Sequence, residues 1–110
     1  MDGARFEHML TALQADFPSL RWEVIAVEGM TDGADYDLSE PPELGLLVSF
    51  RDGFDGVRVM AGEYTFDEIG DDEFVPFLRA LLAGQWEITN RGFLNKSGRL
   101  TVRGAHTWKS

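Results

Sequence analysis

Apolar residues recur at helical spacing twice in this chain, and between the two runs they alternate with polar residues. Phe6, Met9, Leu10, Leu13 and Phe17 fall at i, i+3, i+4, i+7 and i+11, one stripe of an α-helix. Phe74, Phe77, Leu78, Leu81 and Leu82 form a second stripe. Two such stripes flanking period-2 segments need a sheet to bury them, so the chain is α+β. Pro18 stops the first helix, because the residue before a proline is pushed out of the helical region. Asp71 or Asp72 is placed to cap the second, and Asp71, Asp72 and Glu73 suit the positive end of its dipole. Pro76 falls near its first turn, where a missing N–H costs least, and Gly84 supplies the stop.

Strands are read from alternation. Leu20, Trp22, Val24 and Ala26 alternate with Arg21, Glu23, Ile25 and Val27. Leu44 to Arg51 places Leu46, Val48 and Phe50 on one face. Val57, Val59 and Ala61 follow the glycine-rich turn Asp52-Gly53-Phe54-Asp55-Gly56. Gly62 marks a bulge, with Glu63 to Phe66 extending or leaving the sheet. Trp86 and Ile88, then Leu100 and Val102, mark two last strands around a Gly92-to-Gly98 connection. Residues 29–43 carry five acids, no bases and a Pro-Pro pair, and read as an extended acidic loop.

The expected order is α-β-β-β-α-β-β: one domain over residues 1–110, with a mainly antiparallel five-stranded sheet and two helices on one face. This order resembles that of type III secretion chaperones without their final helix, a resemblance of element order that implies a dimer. With Trp22, Val24, Val48, Phe50, Val57 and Val59 turned to the core, Ile25, Val27, Leu47 and Met60 point the other way, onto a face that would ordinarily be polar.

Chemistry is sparse. Without cysteine there are no disulfides, thiolate metal sites or cysteine nucleophiles. His8 and His106 are far apart in sequence, and surface roles are expected for both. No Gly-x-Ser-x-Gly, no phosphate loop and no Gly-x-Gly-x-x-Gly occurs. Asp35, Asp37 and Ser39 have the first three spacings of a calcium loop. Glu40, however, stands where glycine is needed, and Leu46 where the bidentate glutamate belongs. No cofactor and no dedicated metal site is expected.

Charge is the remaining signal. The net charge is −9, and from Glu28 to Glu73 fourteen acids face two bases, Arg51 and Arg58. From Ile88 to Ser110 there are five bases and no acids. An acidic body repels phosphate backbones and favours a basic protein partner. No apolar run is long enough for a membrane helix, and the charged N-terminus lacks the pattern of a signal peptide, so a cytoplasmic protein is expected. The expectation is a non-enzymatic, acidic protein-binding module, most concretely an immunity-type inhibitor of a bacterial toxin. Its contact residues would be Asp32, Asp35, Tyr36, Asp37, Glu40 and Glu43 in the acidic loop, with Asp52 and Asp55. Tyr36, Phe54, Phe93 and Trp108, outside the core stripes, are candidate aromatic anchors or fold back onto the domain. Alternatives are a secretion-chaperone-like homodimer through Ile25, Leu47 and Met60, and a small metal-dependent hydrolase using the acidic cluster.

Overall fold

The computed structural model describes residues 3–25, 33–51, 56–90 and 98–110. The first stripe forms α1, Gly3–Asp16, with Phe6, Leu10 and Leu13 fully buried. Beyond Asp16 the chain turns through Pro18, and the Arg21 guanidinium donates to the Pro18 and Leu20 carbonyls at 2.7 and 2.8 Å. Those bonds satisfy two carbonyls of the turn beyond the helix, and the Leu20 carbonyl also accepts from Gln14 Nε2 at 2.8 Å.

Five strands follow before the second helix: β1 Trp22–Ile25, β2 Gly33–Leu38, β3 Leu46–Arg51, β4 Val57–Ala61 and β5 Tyr64–Ile69. They pair in sequence order as an antiparallel meander, β1-β2-β3-β4-β5. After α2, Asp71–Leu82, come β6 Trp86–Asn90, β7 Gly98–Arg103 and β8 Thr107–Lys109, a separate three-stranded antiparallel sheet. The fold is therefore α+β with two helices and a five-stranded antiparallel sheet, as the pattern implies. The strands making that sheet differ from those expected.

The segment 29–43 is not a loop throughout, because Gly33–Leu38 is β2, an interior strand. Ala34, Tyr36 and Leu38 pair opposite Phe50, Val48 and Leu46 on the core side, so the alternation is complete. Tyr64–Ile69 is a full strand, joined to β4 by a two-residue turn whose first residue, Gly62, has φ +60°. β8 was not foreseen. The last two expected strands exist, but with β8 they form their own sheet instead of joining the first.

One core unites the two sheets. Phe6 contacts Tyr36, Phe50 and Phe74 at ring-centre distances of 4.5, 5.2 and 5.3 Å, tying α1 to the sheet and to α2. Phe77 of α2 meets Phe66 of β5 edge-on at 4.9 Å and Trp108 of β8 at 5.4 Å. Both helices thus lie against the same face of the large sheet, and α2 also carries the small one. Trp108 is core, not an exposed anchor: its ring is buried and its indole N–H donates to Glu73 Oε2 at 3.1 Å.

The ends of α2 show two departures from expectation. Gly70, not an aspartate, occupies the N-cap position with no side-chain cap. Asp71 Oδ1 instead accepts from the Gly56 N–H at 3.0 Å, holding the start of β4 to the helix. Gly56 has φ +93°, and an added Cβ would lie 2.8 Å from the Ile69 carbonyl, so glycine is required there. Pro76 lies in the second turn, where it removes one helical N–H donor. The C-terminus ends as expected at Gly84, with φ +77°. The Gly84 N–H donates to the Leu81 carbonyl and the Gln85 N–H to the Ala80 carbonyl, at 3.1 and 2.9 Å, the bond pair of a Schellman motif.

Candidate functional site

Register decides which side chains share the sheet face opposite the helices. One cross-strand row runs Ile25, Asp35, Ser49, Arg58; the next runs Glu23, Asp37, Leu47, Met60, Thr65. Ile25, Leu47 and Met60 thus point away from the core, as the alternation implies, while Val27 lies outside the described residues. Among the described residues no helix or strand lies across this face, and Ile25 is 43% exposed.

At its β4–β5 side the face is shaped by a bulge. Val57 pairs with Ile69 and Val59 with Phe66, so Asp67 and Glu68 together oppose Arg58. The bulge bounds an open concavity of about 660 Å³ lined by Asp35, Leu47, Ser49, Arg58, Met60 and Asp67, among others. Arg58 Nη2 is 3.7 Å from Asp67 Oδ1, with both side chains exposed, a contact of little energetic weight. Among the described side chains the face sets Glu23, Asp35, Asp37, Asp67 and Glu68 against the single guanidinium of Arg58. Glu23 and Asp37 are directly opposed across β1 and β2, a like-charge pair that costs the free protein stability.

The eight residues proposed from sequence separate into four groups. Asp35 and Asp37 lie together on this face. Glu40 and Glu43 lie in the turn joining β2 to β3, which contains a cis Glu40–Pro41 bond. Asp32, Asp52 and Asp55 fall outside the described residues, as do Phe54 and Phe93. Tyr36 is a correction: it sits on the opposite side of β2, 4% exposed, within the core. Glu23, Ser49, Arg58, Asp67 and Glu68 were missed. Glu23 was legible in the alternation of β1; Asp67 and Glu68 were hidden because the bulge breaks the period.

Tyr36 carries a consequence of its own. Burial, then its hydrogen bond to Glu7 Oε1 at 3.1 Å and the charge of that carboxylate, push the phenol up to about 12. The folded value lies above the unfolded value of 10.0, so this contribution to stability is full below pH 10 and is lost as pH rises from there through 12. In a Tyr64→Phe variant, the remaining phenol should ionise near pH 12 when folded and near 10 in denaturant. A folded transition near 10 would contradict the buried phenol.

The two histidines are both exposed, His106 with its ring against Trp108 at 5.8 Å. Replacing both by alanine should shift the melting temperature by no more than a few degrees, as expected for surface positions. No group of three or more His, Cys, Asp or Glu side chains arranged to hold a metal ion occurs among the described residues. Comparisons with protein-family models, with curated proteins and with solved structures found no match.

Proposed function

We propose that this protein is a non-enzymatic binding module whose open sheet face takes a basic protein partner, and most concretely that it is an immunity-type inhibitor of a bacterial toxin. The observation that carries this reading is the composition of the face that no described helix or strand covers. Ile25, Leu47 and Met60 supply apolar contact area within a field of carboxylates answered, among the described side chains, by Arg58. Apolar centres with a charged surround are how protein interfaces are built, and the acids favour a cationic counterpart. A toxin that acts on nucleic acid is such a counterpart, since binding phosphate needs surplus lysine and arginine. The reading places the protein in the cytoplasm, in keeping with a chain free of cysteine. No described helix is long and apolar enough to cross a membrane.

The opposed Glu23 and Asp37 support the same reading. A pair that weakens the free protein is relieved by a partner's cation. Asp37→Asn should therefore raise stability by about 0.2–0.5 kcal/mol, read as a higher urea midpoint, while weakening partner binding. A lower midpoint would show that Asp37 serves the fold instead.

Self-association through the same face is disfavoured, because a second copy would bring the same carboxylates against these. Photo-crosslinking in cells tests the proposal directly. A photoreactive residue at Ser49, within the face, should capture a basic protein, and one at the exposed Thr11 of α1 should not. Capture of the chain by itself at Ser49 would instead make the face a homodimer interface.

A further inference from the structure

The large apolar side chains exposed among the described residues are Val24, Ile25 and Ile88, at 52%, 43% and 44%. All three lie on strands at the edge of a sheet, β1 or β6. The other edge of the large sheet, β5, is guarded: its bulge and its Asp67 and Glu68 blunt pairing with another chain. β1 has neither proline, lysine nor bulge between Trp22 and Ile25, and it pairs only with β2 among the described residues.

The backbone of β1 can be oriented from its first bonds. The Ser39 N–H donates to the Arg21 carbonyl at 2.9 Å, and the Arg21 N–H donates to Ser39 Oγ at 2.9 Å. Arg21 therefore turns both backbone groups toward β2. Antiparallel pairing alternates, so Glu23 and Ile25 do the same, while Trp22 and Val24 direct their N–H and C=O to the free edge.

We propose that this edge receives an extended segment of the basic partner as an added strand. The inference rests on the reading of a basic partner and specifies how it docks. Register sets the chemistry of the incoming strand. Its residues opposite Trp22 and Val24 lie on the core side and are apolar. The residue opposite Glu23 lies on the open face and is lysine or arginine, answering the Glu23–Asp37 pair. The residue opposite Ile25 is apolar. Charge complementarity selects this occupant over a second copy, whose own β1 would bring another Glu23 to an acidic edge. Main-chain bonds supply affinity in strand addition, and alternate side chains supply specificity.

The probe is an acetylated, amidated peptide, Ser-Ile-Val-Lys-Val-Ser, added antiparallel to β1 with its last valine aligned to Trp22 and its lysine opposite Glu23. Saturating peptide should slow hydrogen exchange of the Val24 amide by roughly tenfold or more. Replacing its lysine with glutamate should abolish the protection. Val24→Pro removes an outward N–H and no bond to β2, so the fold should persist while peptide affinity falls about fivefold, the effect of one backbone hydrogen bond. Val24→Lys keeps the N–H and should weaken binding by setting a charge against the incoming apolar residue on the core side. Unchanged exchange at Val24, or full affinity in both variants, overturns the docking mode. If Val24→Pro still crosslinks a basic protein through Ser49 at the wild-type level, the added strand is wrong while the binding face stands. If neither peptide nor basic protein is captured, both fall.

Discussion

Phe77→Ala should remove about 3–5 kcal/mol of stability, the usual effect of emptying a large aromatic site in a core. Phe77 is fully buried and is the ring against which Phe66 of the large sheet and Trp108 of the small sheet both pack. Its loss opens a cavity where two sheets and a helix meet, so neither sheet can close the gap without leaving α2. A domain of this size has about 5–15 kcal/mol in total, and a fall in melting temperature of roughly 10–25 °C is expected. Trp108 fluorescence should shift to the red in the same variant, because the indole loses one wall of its site. Phe17→Ala, at the half-buried end of the α1 stripe, should cost much less. Equal losses at the two positions would contradict a core shared through Phe77.

Leu47→Lys combined with Met60→Lys should leave the fold intact and weaken partner binding by about a hundredfold, the scale of losing a central contact pair. The two residues are directly opposed on β3 and β4, half-buried, and on the face away from both helices. Two opposed lysines repel, but Asp37 lies directly across from Leu47 on β2 and offsets part of that cost. The lysines also reverse the sign of the surface that meets a cationic partner. Circular dichroism and thermal unfolding should stay near wild type while binding to the protein captured through Ser49 is lost. Unfolding of the double variant would mean that this face belongs to an interior.

Both helices and the orientation of the open face were legible because their signals are local. Phe6, Leu10 and Leu13 repeat at helical spacing, and Leu47 and Met60 fall out of phase with Leu46, Val48 and Val59. β2 was passed over because glycine and aspartate are rare in strands, and five acids in residues 29–43 dominate the local composition. Its core-facing residues, Ala34, Tyr36 and Leu38, alternate throughout, and that period was the better guide. It also explains Tyr36: in a strand flanked by Asp35 and Asp37, the residue between two outward acids must point inward. β5 was read only in part because its bulge breaks the alternation between Phe66 and Ile69. The three residues of β8 are too few to show a period. The division into two sheets depends on pairing between distant segments, which local pattern does not encode. Val24 shares the core side of β1 but is 52% exposed, since its strand is the edge of the sheet.

If an acidic, partly apolar sheet face draws in a basic protein, the rate of their association should depend on charge. Stopped-flow association of the protein captured through Ser49, at low and high ionic strength, tests it most directly. Wild type is compared with a variant carrying Glu23→Gln, Asp37→Asn and Asp67→Asn. Exposed charges act on association mainly by steering and are screened within about 10 Å at 0.1 M salt. The wild-type rate should fall steeply with salt, the variant should be slower at low salt, and the two should converge at high salt. An association rate indifferent to both salt and these substitutions would contradict the account.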